Sequence, residues 1–369
     1  MTRNEEPMPQ LARLEEYLRQ DPGNDGLQAE VFDAALAGGK RELARRLADE
    51  ALARVPAHPG WRHRCALLML AEKDYAEAER ELERLVSEAP EVAVVRHNLA
   101  YALFAQRKYE ASSLTVRPLL DSPGPDGATA WALWLRSQHR LYRLKEALEA
   151  FRSVLARIAI SPEVLGVASL IAAEAGSLAE ARAWSERALS GRPDQMEALA
   201  ARGTVALAAE DAPKALAFFS RALRVNQHDG RIWSGVGLAH MLQMDLTGAD
   251  QAFAQAVETM PDHVGTWLAW GFCRLVSNHP QEAREAFEKA LELDRNFADS
   301  HGALACALIR LGEADRGRDE MELALRLNRG SVSARLAQTL LSGEVADPAA
   351  MLRLGRRVLE QQRALLSPR

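Results

Sequence analysis

The chain has 369 residues, 48% hydrophobic and 26% charged, which excludes disordered and collagen-like classes. Its net charge of -5 and pI near 6.1 give phosphate backbones no general attraction, so no nucleic-acid partner is expected. Cys65, Cys273 and Cys306 are odd in number and scattered, which suits reduced thiols rather than a disulfide framework.

The segment Met1 to Gln10 carries Glu5, Glu6 and two prolines where a secretory signal needs an apolar core, and no later stretch approaches a membrane span. A cytoplasmic protein without membrane insertion is expected. Residues 1–24 read as an N-terminal tail and cap helix, with Leu11, Leu14 and Leu18 on one face of the helical run 9–20. From there a period of 34 residues takes over: Gly203, Gly237 and Gly271; Ala215, Ala249 and Ala283; Phe219, Phe253 and Phe287. Extended both ways, it gives nine units over 25–331, starting at residues 25, 59, 93, 128, 162, 196, 230, 264 and 298. The one extra residue falls in the turn-rich stretch Ser122 to Gly127. Each unit splits into two helical runs. Ser177 to Glu180 and Asn278 to Gln281 have the form of capping boxes, and Pro213, Pro280 and Pro348 suit first-turn positions. Residues 332–369 read as C-terminal capping helices, a pair at 332–342 and 348–366 with Arg353, Arg356, Arg357 and Arg363 on its polar face.

In the seventh unit Trp233, Val236, Gly237, Ala249, Phe253, Ala256 and Pro261 follow one another at fixed spacing, and Trp267, Trp270, Gly271, Ala283, Phe287 and Ala290 repeat the pattern in the eighth. This resembles the tetratricopeptide repeat family. Arg295 and Arg329 depart from it where a closing proline is expected, and the third unit departs around Ser112 and Val116. The resemblance implies an all-α, right-handed superhelical solenoid of helix-turn-helix repeats, each burying its apolar face on its neighbours.

Chemistry finds little purchase. Gly38, Gly39 and Lys40 lack the spacing and following hydroxyl of a phosphate loop, Arg41 standing in that place. The nine histidines form no ligand pair at helical spacing, and no nucleophile-elbow pattern occurs. No catalytic residue, metal or cofactor is expected. Trp131, Trp233 and Trp267 occupy equivalent places, where inter-repeat packing outweighs a ligand cage.

The resemblance implies a concave surface lined by the second, fifth, sixth, ninth, twelfth and thirteenth positions of each first helix. Those positions hold His63, Arg64, His97, Asn98, Tyr101, Arg136, His139 and Arg140 in units two to four, a polar and basic wall. In units five to eight they hold Leu170, Leu207, Leu238, Met241, Leu268, Phe272 and Leu275, an apolar wall unless lateral packing covers it. Arg64 and Asn98 match two places of a carboxylate clamp, but Leu67 and Val94 stand where its other members belong. The expected partner is a protein or peptide segment with an acidic or polar part and an apolar part. The expected function is a non-catalytic adaptor or chaperone-like scaffold; the alternative is a regulatory or assembly subunit that binds through its convex face or termini. The usage of Ala, Arg and Leu looks bacterial.

Overall fold

A computed structural model describes residues 7–122, 125–155 and 160–343. The predicted closing helix 348–366, with its arginines and Pro348, lies outside these residues. The described residues form α-helices and one 3-10 turn, with no strand among them. The chain divides between Leu141 and Tyr142 into two compact units.

The first unit contains α1 (Pro7–Gln20), α2 (Asp25–Ala37), α3 (Arg41–Arg54), α4 (Pro59–Glu72), α5 (Tyr75–Glu88), α6 (Ala93–Ala105), α7 (Tyr109–Val116) and α8 (Pro125–Arg140). The second contains α9 (Leu144–Val154), α10 (Pro162–Glu174), α11 (Leu178–Gly191), α12 (Met196–Ala208), α13 (Ala212–Val225), α14 (Gly230–Leu242), α15 (Leu246–Thr259), α16 (Val264–Val276), α17 (Pro280–Leu293), α18 (Ala298–Arg310), α19 (Ala314–Leu327) and α20 (Val332–Leu341). Even-numbered helices are the first of each pair. Within each unit every helix packs on the next, and even-numbered helices also pack on one another. This is a solenoid, in which stacking supplies the core that no single pair could build.

The turn inside each repeat explains the regularity. Gly39, Lys73, Arg107, Gly176, Glu210, Met244, Asn278 and Gly312 all have left-handed φ between 60° and 85°. The residue after each donates its N–H to the carbonyl five back, Lys40 to Ala35 and Asp245 to His240 among them, at 2.8–3.0 Å. This is a Schellman ending that reverses the chain in three residues. Three of the second helices then start with acidic N-caps: Asp74, Asp211 and Asp245 accept from Glu77, Lys214 and Gly248 N–H, each worth about 1 kcal/mol. The capping boxes expected at Ser177 and Asn278 do not form. Ser177 makes no cap hydrogen bond, Glu180 pairs with Arg152 instead, and Asn278 sits in the left-handed turn one residue before the cap, His279. Pro213 and Pro280 do occupy the first turns of α13 and α17. The departure at Val116 is real: α7 stops there and Arg117–Leu119, carrying Pro118, continues as the 3-10 turn.

In most repeats volume is matched across the helix pair. A Cβ on Gly203, Gly237 or Gly271 would come within 2.4, 2.8 or 2.3 Å of the ring of Phe219, Phe253 or Phe287. The same two register positions hold Ala66 and Leu82, Ala100 and Val116, Ser169 and Ser185, and Ala305 and Met321, whereas the first pair reverses the order with Phe32 and Ala48. All of these are buried, and in these eight repeats no large residue is set against another large one; the fourth repeat has Leu135 and Phe151 at the two positions.

A second ladder fixes the start of the later first helices. Trp233 Nε1 donates to Gln227 O at 2.8 Å and Trp267 Nε1 to Pro261 O at 2.8 Å, while His301 Nε2 lies 2.9 Å from Arg295 O. Each partner is six residues upstream. Finally, α20 docks on α18 through buried Asp299, whose Oδ1 accepts from Ser331 Oγ and Ser333 Oγ at 2.7 Å each and from Ser333 N at 3.2 Å.

Candidate functional site

The polar residues predicted for the groove all lie on α4, α6 and α8 of the first unit. His63 and Asn98 meet directly, Nε2 to Nδ2 at 2.9 Å, joining α4 to α6. Burial, followed by the charge of Arg64, holds the His63 pKa below its ordinary value, against the opposing pull of Asp33. A neutral ring with Nε2 free of hydrogen is the form that accepts the Asn98 amide. Arg64 grips Asp33 with two hydrogen bonds, Nε to Oδ1 at 3.1 Å and Nη2 to Oδ2 at 2.9 Å, and its guanidinium lies 5.3 Å from the Trp61 ring centre. The two residues that match a carboxylate clamp therefore already hold partners within the chain.

His97 is half-buried on α6, and Tyr101, one turn on, is 44% exposed with its ring 6.5 Å from that of Tyr75. On α8, Arg136 and His139 are half-buried and Arg140 is exposed. The sequence reading missed Val94, which is 51% exposed. Val94, His97, Asn98 and Tyr101 fall at helical spacing on one face of α6, so an apolar edge accompanies the polar one. Its signal was present in the sequence as an apolar residue where the clamp needs a cation.

The apolar wall expected in the second unit is corrected by burial. Leu268, Phe272 and Leu275 are at most 1% exposed and belong to a core shared with Ala303 to Leu308 of α18. Met241 is buried with Ala249, Phe253, Ala269 and Cys273, and Leu238 is half-buried beside it. Leu170 and Leu207 join a further cluster with Val236. First helices pack laterally on each other here, and that contact consumes the face. Charged groups remain. Arg231 lies 3.4 Å from Asp229. Burial would lower its pKa, but Asp229, Glu174 and Glu197 outweigh that and hold it above its ordinary value.

The thiols are not poised for nucleophilic chemistry: burial pushes Cys65 up to about 11 and Cys273 up to about 12, and raises Cys306 as well. Among the described residues no three His, Cys, Asp or Glu side chains gather where a metal ion would sit, and no helix is long and apolar enough to cross a membrane.

Sequence models described as tetratricopeptide repeat match residues 69–133, 200–263 and 264–297. The human Protein O-mannosyl-transferase TMTC3 is 37% identical over 97 residues, 25% of this chain and 11% of that protein. The General transcriptional corepressor ssn6 of Schizosaccharomyces pombe is 30% identical over 114 residues, 30% of this chain and 10% of that protein. The chain thus spans about a tenth of the length of these relatives. Among solved structures, a monomeric IFIT1 mutant with m7Gppp-AAAA superposes with a TM-score of 0.58 at 15% identity, covering 97% of this chain and 94% of that one. At that identity the likeness is one of fold.

Proposed function

Since the chain is a tetratricopeptide repeat protein, and so an interaction scaffold, we propose that it serves as a non-catalytic adaptor or chaperone-like protein. In this reading it holds a partner segment on the first-helix face of α4, α6 and α8. The observation that carries the reading is the mixed surface of α6, where exposed Val94 and Tyr101 flank His97 and the His63–Asn98 pair. Such a surface suits a segment with apolar anchors and neutral or acidic polar groups between them, with Arg136 and Arg140 alongside on α8. The carboxylate clamp is not part of the proposal, because Arg64 is committed to Asp33.

A photo-crosslinking residue placed at Tyr101, and separately at exposed Arg318 on α19, tests it in lysate of the source organism. A protein captured reproducibly from Tyr101 and not from Arg318 is the expected result. Capture from Arg318 alone would overturn the reading in favour of a subunit that binds through its outer surface.

A further inference from the structure

On the second unit, α16 and α17 form a cleft of about 380 Å³ between Trp267, Trp270 and Arg274 on one side and Glu285, Glu288, Lys289 and Glu292 on the other. The two indoles lie 5.5 Å apart between centres, tilted by 34°. Both are half-buried, and both have their N–H groups satisfied, Trp267 by Pro261 O at 2.8 Å and Trp270 by Asp250 Oδ1 at 2.6 Å. What they offer to the cleft is ring face and edge, not a donor.

The chain itself shows which chemistry such a face accepts. Arg274 lays its guanidinium 3.7 Å from the Trp270 ring centre and holds it there with Asp250 at 3.2 Å and Glu282 at 3.5 Å. Ring face and flanking carboxylates together satisfy a planar cation. Trp267 stands one turn earlier on α16 with α17 carboxylates opposite and no cation stacked on it among the described residues. Glu292 is held by Lys289 at 2.6 Å and Glu288 by Arg284 at 2.7 Å, whereas exposed Glu285 is ion-paired to no described residue. In the places of Trp267 and Ala286 the preceding repeat keeps Trp233 and Ala252, but it has Gln251 where Glu285 stands, and the next repeat differs outright. Where Trp267 and Ala286 stand, the next repeat has His301 and Glu320, joined at 2.6 Å, so the chain fills the equivalent space with a hydrogen-bonded pair of its own side chains.

We propose that this cleft takes an arginine side chain of a partner protein, its guanidinium stacked on Trp267 and paired with Glu285. The assignment concerns a surface different from α4, α6 and α8, and it stands or falls independently of the function proposed for that face.

The test uses the full chain with its seven tryptophan indole N–H resonances followed by NMR at low ionic strength. The resonances of Trp267 and Trp270 are assigned from Trp267→Phe and Trp270→Phe. The probes are three blocked pentapeptides in which glycines alternate with two arginines, two lysines or two glutamates. The arginine peptide should shift Trp267 and Trp270 saturably while the other five indoles stay still, and the glutamate peptide should shift neither. Glu285→Lys, at an exposed site that leaves the fold intact, should weaken the arginine peptide about fivefold or more, as expected for reversing one exposed charge. An unchanged affinity in Glu285→Lys, no shift at Trp267, or equal titration by the lysine peptide would overturn the proposal.

Discussion

Gly203, Gly237 and Gly271 set how closely three first helices approach their second helices, because Phe219, Phe253 and Phe287 fill the space a side chain would need. Gly271→Ala is expected to cost about 1 to 3 kcal/mol, the usual penalty for overpacking a tight core. Adding Phe287→Leu should restore part of the loss. Urea midpoints of the single and double variants measure both effects, and an unshifted midpoint in Gly271→Ala would contradict the pairing. Titration supplies a second handle. His263 caps α16, its Nδ1 accepting from Thr266 N at 3.2 Å and lying 2.9 Å from Thr266 Oγ1. Burial first, then Arg231, hold its pKa below the ordinary histidine value, with Glu174 opposing. Below about pH 6.5 the unfolded chain binds the proton more readily than the folded one. Stability from this group is therefore complete above that pH and lost as pH falls towards the folded value. His263→Asn keeps a cap acceptor without the titration, so stability curves at pH 7 and pH 5 should lie closer together than in the parent. Equal separation in both proteins would exclude His263 as a source. These residue-level facts were only partly legible in the sequence. The glycine and phenylalanine periods were plain, but the burial of His263 depends on neighbours supplied by other repeats.

At the level of the helical turn, six left-handed positions among the described residues carry side chains other than glycine: Lys73, Arg107, Tyr142, Glu210, Met244 and Asn278. An L-residue pays about 1 to 2 kcal/mol to sit there, asparagine less. Met244 is 50% exposed and closes the turn between α14 and α15, so Met244→Gly is expected to raise the thermal midpoint, the relief exceeding the added backbone entropy. Gly312→Val, at φ 85°, should lower it. Calorimetry on the two variants checks the pair, and a fall in both would mean the turn is not held as described. The period of these turns could be read from the sequence, since 34-residue spacing fixes where each helix must reverse. The capping boxes were misplaced because Asn278 looks like a cap by type, yet the Schellman ending of α16 claims it for the turn.

Across the whole molecule, stability rests on each repeat covering the last. Val332, Ala334, Leu336 and Ala337 of α20 are buried in the same core as Ala303 to Leu308 of α18. Removing residues 332–369 should expose that face and cause association, as for a repeat array deprived of its end. Light scattering after size-exclusion chromatography would detect it, and a monomer with the parent's melting temperature would contradict it. The all-α solenoid was legible from the period together with the family resemblance that the repeated residues carry. The candidate site was legible by face but not by access. Position within a repeat placed Leu268, Phe272 and Leu275 on the first-helix surface, while their burial depends on how tightly small residues such as Ala303, Ala305 and Ala307 let α18 close against them. Arg64 was likewise placed well and its charge misjudged, because Asp33 neutralises it from the preceding repeat.

Repeats built on one period look like interchangeable parts that a gene might shuffle freely. The reversed volumes of Phe32 and Ala48 forbid this at the level of single helices. A hybrid setting α2 against α15 would drive Phe32 into Phe253, and one setting α14 against α3 would leave Gly237 facing Ala48 across a void. α2 and α3 can therefore be traded only together, so at this end of the chain the heritable module is the pair with its turn, not the helix.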